Sequence, residues 1–181
     1  MHRSANHHPW KPAVPPAAGP GSLLPAAAAA EADWQGWMAV LLRRAAQVGE
    51  EGEVPVAAVV LDAHRRCVGW GSNRRHRRQD PLGHAELMAL RQAALLRGSW
   101  RFNDCTLIVT LEPCPMCAGA LVQARMGRVV FAAGDPKRGG LGGCLDLSND
   151  ASAHHHMEVV AGVQGVKARQ QLEQWFRQRR G

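Results

Sequence analysis

Residues 105–125 read CTLIVTLEPCPMCAGALVQAR. The run from Cys105 to Leu111 is continuously apolar and β-branched, the pattern of a strand buried on both faces. It passes through Glu112, Pro113 and Cys114 into a stretch that reads as a helix to about Arg125. Pro113 or Pro115 suits the first turn of that helix, where a missing N–H has no partner to lose. A strand that hands the chain directly to a helix is a building unit of layered α/β folds. Here the junction carries two thiols, Cys114 and Cys117, in a Cys-x-x-Cys spacing.

Outward from this junction, strand and helix patterns continue to alternate. Trp34, Trp37, Met38, Leu41, Leu42, Ala45 and Val48 recur at helical spacing. They predict an amphipathic helix over 33–49, with Asp33 as N-cap and Gly49 at its end. Residues 54–61, VPVAAVVL, read as a central strand with Pro55 at its beginning, because proline cannot donate to the ladder. A polar turn over 62–66 leads into a hairpin-paired strand over 67–71. Residues 73–81 read as a loop containing Arg74-Arg75-His76-Arg77-Arg78. A helix is expected over 84–97, with Ala85, Met88, Ala89, Ala93 and Leu96 as its apolar stripe and Gly98 closing it. Strands over 128–132 and 157–161 flank a glycine-rich stretch, 135–143. A last helix over 166–180 carries Leu172, Trp175 and Phe176. This order predicts an α/β fold built on a mixed, five-stranded sheet with helices on both faces.

Residues 1–30 are rich in Ala and Pro and show no capped helical or strand period, so they are expected to be a disordered tail ahead of one domain, 31–181. Leu23 to Ala30 has some likeness to a signal-peptide core. Pro25 within it and the long, weakly basic lead argue against secretion. The formal charge is +7, and only Arg3 and Lys11 of the 22 basic residues precede residue 31. The basicity therefore belongs to the folded part and points to a polyanion, with nucleic acid first in line. No apolar run is long enough for a membrane helix. Five cysteines, two of them in a Cys-x-x-Cys, argue against a disulfide framework and for a reducing, cytoplasmic compartment. Cys67 and Cys105 fall in strand-like runs and are expected to pack as small hydrophobes.

His84-Ala85-Glu86 and Pro113-Cys114-Pro115-Met116-Cys117 together offer one imidazole and two thiols. Soft donors of this kind favour zinc, and three protein ligands leave the fourth position of a catalytic site open to water. Both sets of ligands begin a helix, whose N-terminus stabilises thiolate charge. Glu86, two residues beyond His84, points away from the direction of that ligand and suits a proton carrier beside the metal. His-x-Glu with Pro-Cys-x-x-Cys is the pattern of zinc deaminases, in which the Glu is not a ligand. A zinc ribbon would need a second Cys pair, and none exists; a thioredoxin-like redox pair would sit after an early strand, which this order does not match.

From residue 53 to about 138 the chain resembles the bacterial tRNA-specific adenosine deaminases of the cytidine-deaminase-like superfamily. The likeness rests on EVPVAAVV, GSNRR, HAELMALRQA, TLEPCPMCAGALVQARMGRVVFAAGDPKRG and the late WFRQRR. It implies a homodimeric, three-layer α/β/α hydrolase with one Zn2+ per subunit. It implies conversion of adenosine to inosine at the wobble position of a tRNA anticodon loop, in an arginine tRNA. Carried onto this sequence, His84, Cys114 and Cys117 are the implied zinc ligands and Glu86 the proton shuttle. Asn73, Asp135, Lys137, His155, Phe176 and Arg177 are the implied substrate-binding residues. Of Trp175 and Phe176, one is expected to pack on the core.

The sequence departs from the family pattern at Ala57, Leu82-Gly83, Gly134 and His154-His155-His156, which bears on base contacts and leaves the zinc chemistry intact. The His triplet also raises a second metal as an expectation to test. Two other functions remain open at this point. One is a deaminase of free guanine, adenine or cytosine, or of their nucleosides. The other is a non-catalytic tRNA-binding subunit, which would have no need of Glu86.

Overall fold

A computed structural model describes residues 34–179. The expected tail over 1–30, the Asp33 cap and Arg180 lie outside the described residues. The chain runs α1 (Trp34–Glu50), β1 (Ala57–Leu61), β2 (Cys67–Ser72), α2 (Arg75–Arg78), α3 (Ala85–Arg97), β3 (Thr106–Leu111), α4 (Pro115–Gln123), β4 (Arg128–Ala133), β5 (Glu158–Ala161) and α5 (Gly165–Gln178). The five strands form one sheet in the order β2-β1-β3-β4-β5. β1 pairs antiparallel with both β2 and β3, whereas β3–β4 and β4–β5 are parallel. The mixed α/β/α sheet expected from the sequence is therefore present.

The strand sequences explain the layers. Alternate residues of a strand point to opposite faces, and both faces here are apolar. Ala57, Val59, Leu61, Ile108, Val130 and Ala132 pack with Trp37, Met38 and Leu41 of α1 and Ala168 of α5. Ala58, Val60, Leu107, Val109, Val129 and Phe131 pack with α3 and α4. Cys105 is buried and Cys67 packs at the margin of the core, as small hydrophobes would. The α3 stripe of Ala85, Ala89 and Ala93 brings that helix unusually close to β2. A Cβ on Gly71 would lie 2.4 Å from the carbonyl oxygen of Ala85 and 2.7 Å from the nitrogen of Ala89.

Two expectations need correction. The strand over 54–61 begins only at Ala57, because Pro55 has no N–H, Val56 N–H turns back to the Val54 carbonyl at 2.8 Å, and Asn73 Nδ2 donates to the same carbonyl at 3.1 Å. The loop over 73–81 contains a one-turn helix, α2, closed by Gln79 in the left-handed region; its residues are all polar, so no hydrophobic period announces it. Gly49 falls at the end of α1 as expected, one residue before its last. Its missing Cβ makes room for the Trp175 ring, and Gly52 (φ 92°) supplies the left-handed turn. Among the described residues, no helix is long and apolar enough to cross a membrane.

Candidate active site

Antiparallel pairing puts the start of β1 beside the end of β3. The chain leaves β2 at Ser72 on this same end of the sheet, and α3 and α4 both begin here. Cys114 is the N-cap of α4, with Pro115 in the first turn, and Cys117 follows within that turn. His84 is the N-cap of α3. Neither cap residue uses its side chain to cap its own helix. The side chains converge instead: His84 Nδ1 lies 3.7 Å from Cys114 Sγ and 3.5 Å from Cys117 Sγ.

The spacing fits zinc. With Zn–S near 2.3 Å and Zn–N near 2.0–2.1 Å, a tetrahedral N···S edge is about 3.6 Å. All three donor atoms lie within 4.8 Å of one another, and this is the one such cluster of His, Cys, Asp or Glu among the described residues. The His154–His156 triplet forms no second cluster there. A hydrogen bond from Cys117, reinforced by His84, pulls Cys114 down to about 3 despite its burial. The same bond, with burial and the nearby Glu86 charge, pushes Cys117 up. His84 is raised chiefly by its hydrogen bond with Cys114.

Glu86, on the first turn of α3, is 4% exposed. Burial pushes its carboxyl up to about 7, against the attraction of His84. Its carboxyl is held next to the ligand set, close enough to Cys117 to share a hydrogen bond.

Asn73 also reaches this end, but its carboxamide is engaged within the protein. Oδ1 accepts the Ala85 N–H at 3.0 Å and Nδ2 donates to the Val54 carbonyl. The loop after β4 lies across the start of α4, where Gly140 N–H donates to the Pro113 carbonyl at 2.8 Å. Within it, Asp135 Oδ1 accepts the N–H groups of Lys137 and Arg138, both at 3.0 Å, leaving the Lys137 side chain exposed. Phe176 and Arg177 sit on the last turns of α5, outward-facing. Trp175 is the packed member of the aromatic pair: its Nε1 donates to the Gly49 carbonyl at 3.0 Å.

His155 is not brought to the cluster. β4 and β5 pair with Arg128 opposite Glu158, so residues just before Glu158 fall at the opposite end of the sheet. His155 Nε2 lies 2.8 Å from the Met126 carbonyl, beyond the far end of α4. Six helical residues follow Cys117 before that end, about 9 Å of rise.

Sequence reasoning passed over Glu112. It is 3% exposed, and its carboxylate accepts backbone N–H groups from Asp135 (2.8 Å), Leu141 (3.0 Å) and Gly143 (2.8 Å). The available signal was a carboxylate at the buried end of a strand, followed by glycines at 139, 140, 142 and 143.

Comparison with known proteins agrees with this geometry. The family model of the cytidine and deoxycytidylate deaminase zinc-binding region matches residues 32–133. The tRNA-specific adenosine deaminase of Haemophilus influenzae is 42% identical over 129 residues, 71% of this chain and 75% of that protein. The Bacillus subtilis tRNA-specific adenosine deaminase is 38% identical over 144 residues, 80% of this chain and 89% of that protein. A tRNA(Ile)-lysidine synthase of Deinococcus radiodurans is 46% identical over 139 residues, and the match spans 24% of its length. A solved structure from work on A-to-I editing by tRNA:A34 deaminases superposes with a TM-score of 0.70 at 34% identity, covering 74% of this chain and 96% of that one. A guanine deaminase from Nitrosomonas europaea, 20% identical with a TM-score of 0.65, shares the fold.

Proposed function

Because the chain belongs to the cytidine and deoxycytidylate deaminase zinc-binding family, alongside the tRNA-specific adenosine deaminases, we propose that it hydrolyses adenosine to inosine at the wobble position of a tRNA anticodon loop. The observation that carries the reading is the His84–Cys114–Cys117 triangle with a buried, non-ligating carboxylate beside it.

His84, Cys114 and Cys117 would hold zinc, which would supply the Lewis acidity that makes water nucleophilic near neutral pH. Glu86 accepts the proton released as water adds to C6 of the base and passes it to N1. It then carries a second proton to the departing amino group. C6–N breaks, C6=O forms, and ammonia leaves. Burial raises the Glu86 carboxyl above its ordinary value, the direction that favours proton delivery as well as uptake.

The substrate must present its base out of the stack, as a single-stranded anticodon loop does. Asn73, with hydrogen-bonding capacity left after its two internal bonds, contacts the flipped nucleotide. Lys137 meets backbone phosphate, and Phe176 and Arg177 meet flanking nucleotides. An arginine tRNA as substrate, a homodimer as the working form, and a cytoplasmic setting complete the proposal. The test is incubation of zinc-loaded protein with an anticodon stem-loop of arginine tRNA carrying A at the wobble position. Inosine, read as A-to-G in cDNA, is expected. Ammonia release from free bases with none from RNA would overturn the RNA reading.

A further inference from the structure

Glu112 directly follows β3, which ends at Leu111, and stands two residues before Cys114. Its own N–H donates to the Ala133 carbonyl at 2.8 Å, so its backbone is tied to the end of β4, where the basic loop departs. Its side chain then takes both ends of that loop. Oε2 holds the entry through Asp135 N–H, and Oε1 holds the exit through Leu141 and Gly143 N–H. A Cβ on Gly139 or Gly143 would collide with the carboxylate, so the glycines allow the backbone to close around it. Between the clamped ends the chain presents Pro136, Lys137 and Arg138 to solvent. The Gly140 bond to the Pro113 carbonyl fastens the same loop to the residue preceding the first thiol ligand.

We propose that Glu112 is a positioning residue that holds the basic loop 135–143 in register with the metal-bearing end of α4, and thereby sets how tightly RNA is engaged. The inference rests on the RNA reading above. Three backbone donors meet one carboxylate, an arrangement only an acceptor with two oxygens satisfies. Glu112→Gln is nearly isosteric yet replaces one oxygen with an NH2 group. If Oε1 stays with Leu141 and Gly143, the new donor faces Asp135 N–H and releases the loop entry. Two carboxylates thus work in series: Glu112 fixes Asp135, and Asp135 fixes the turn that aims Lys137 and Arg138.

The test compares the zinc-loaded wild-type chain with Glu112→Gln and Gly143→Ala, which disturb the clamp from opposite sides. KM and kcat are measured on the anticodon stem-loop, zinc by metal analysis, and hydrogen exchange at the amides of Asp135, Leu141 and Gly143 by NMR. Both variants are expected to keep full zinc, to raise KM about tenfold with kcat within about threefold, and to lose protection at those amides. The salt dependence of RNA binding should flatten as Lys137 and Arg138 lose their phosphate partners. Unchanged KM in both variants, or loss of activity in proportion to lost zinc, would overturn the inference. Wild-type protein that leaves RNA untouched would instead overturn the functional reading, while amide exchange still reports whether Glu112 holds the loop.

Discussion

Asn73 Oδ1 accepts the backbone N–H of Ala85 at 3.0 Å and so satisfies a donor in the first turn of α3 from outside that helix. The N-cap residue of α3 is His84, whose ring is turned to the thiols and makes no cap. Asn73 supplies the missing acceptor, and its Nδ2 anchors this brace to the Val54 carbonyl. Asn73→Ala leaves the buried Ala85 N–H unpaired and removes one of the two bonds to the Val54 carbonyl, and should destabilise the zinc-loaded protein by about 1–2 kcal/mol in urea unfolding. A loss under about 0.5 kcal/mol would show that water replaces the amide.

Glu86→Gln should retain zinc at the wild-type ratio, because the three donors of the cluster are unchanged. Turnover should fall by about 10³-fold or more, since the amide cannot accept a proton. Parallel metal analysis and single-turnover inosine assays check both halves. Surviving turnover would remove Glu86 from its assigned role.

The contrast between these two residues shows what a sequence discloses. His84, Glu86, Cys114 and Cys117 were legible because identity and short-range spacing define their chemistry, and each lies where a helix pattern begins. The sheet was legible because both faces of its strands are apolar. Glu112 was not, because its three partners are backbone amides 23 to 31 residues away. His155 was assigned to the site by likeness alone; strand register, which places Glu158 beside Arg128, sends it to the other end. α2 escaped because its residues, Arg75 to Arg78, carry no apolar period.

Removing zinc with a chelator should lower the melting temperature, because the metal binds only the folded ligand set and stabilises it by mass action. Cys117→Ala should mimic this loss even with zinc in excess, since one thiol and one imidazole remain as a partial site. Wild-type melting that is indifferent to chelation would show that the triangle holds no metal in solution. Zinc titration followed by calorimetry or a dye melt makes the comparison.

Gly71→Ala should damage both stability and activity. The added methyl would sit 2.4 Å from the Ala85 carbonyl oxygen and 2.7 Å from Ala89 N. Neither is a flexible side-chain end, so α3 must move off β2, carrying His84 and Glu86 with it. A cost of about 2–3 kcal/mol is expected, together with weakened zinc retention. A fully active, equally stable variant would mean that α3 moves more freely than its packing implies.

Asp62 allows a pH test remote from the metal. Its side chain, 5% exposed, accepts N–H groups of His64 and Arg66 at 2.9 Å and forms an ion pair with Arg66 at 2.7 Å. Burial works to raise its pKa, but the hydrogen bonds and charge of Arg66 outweigh this and hold the carboxyl below its ordinary value. A carboxylate depressed by folding contributes stability that is fully present above the unfolded pKa of about 3.9. That contribution fades as pH falls through the lower folded value. Asp62→Asn should therefore be less stable than wild type by about 1–2 kcal/mol near pH 7, with the gap closing below about pH 4. Taking the difference between the two chains at each pH cancels acid release of zinc, which both share. Urea unfolding from pH 3 to pH 7 supplies the measurement, and a gap that widens in acid would contradict the depressed carboxyl.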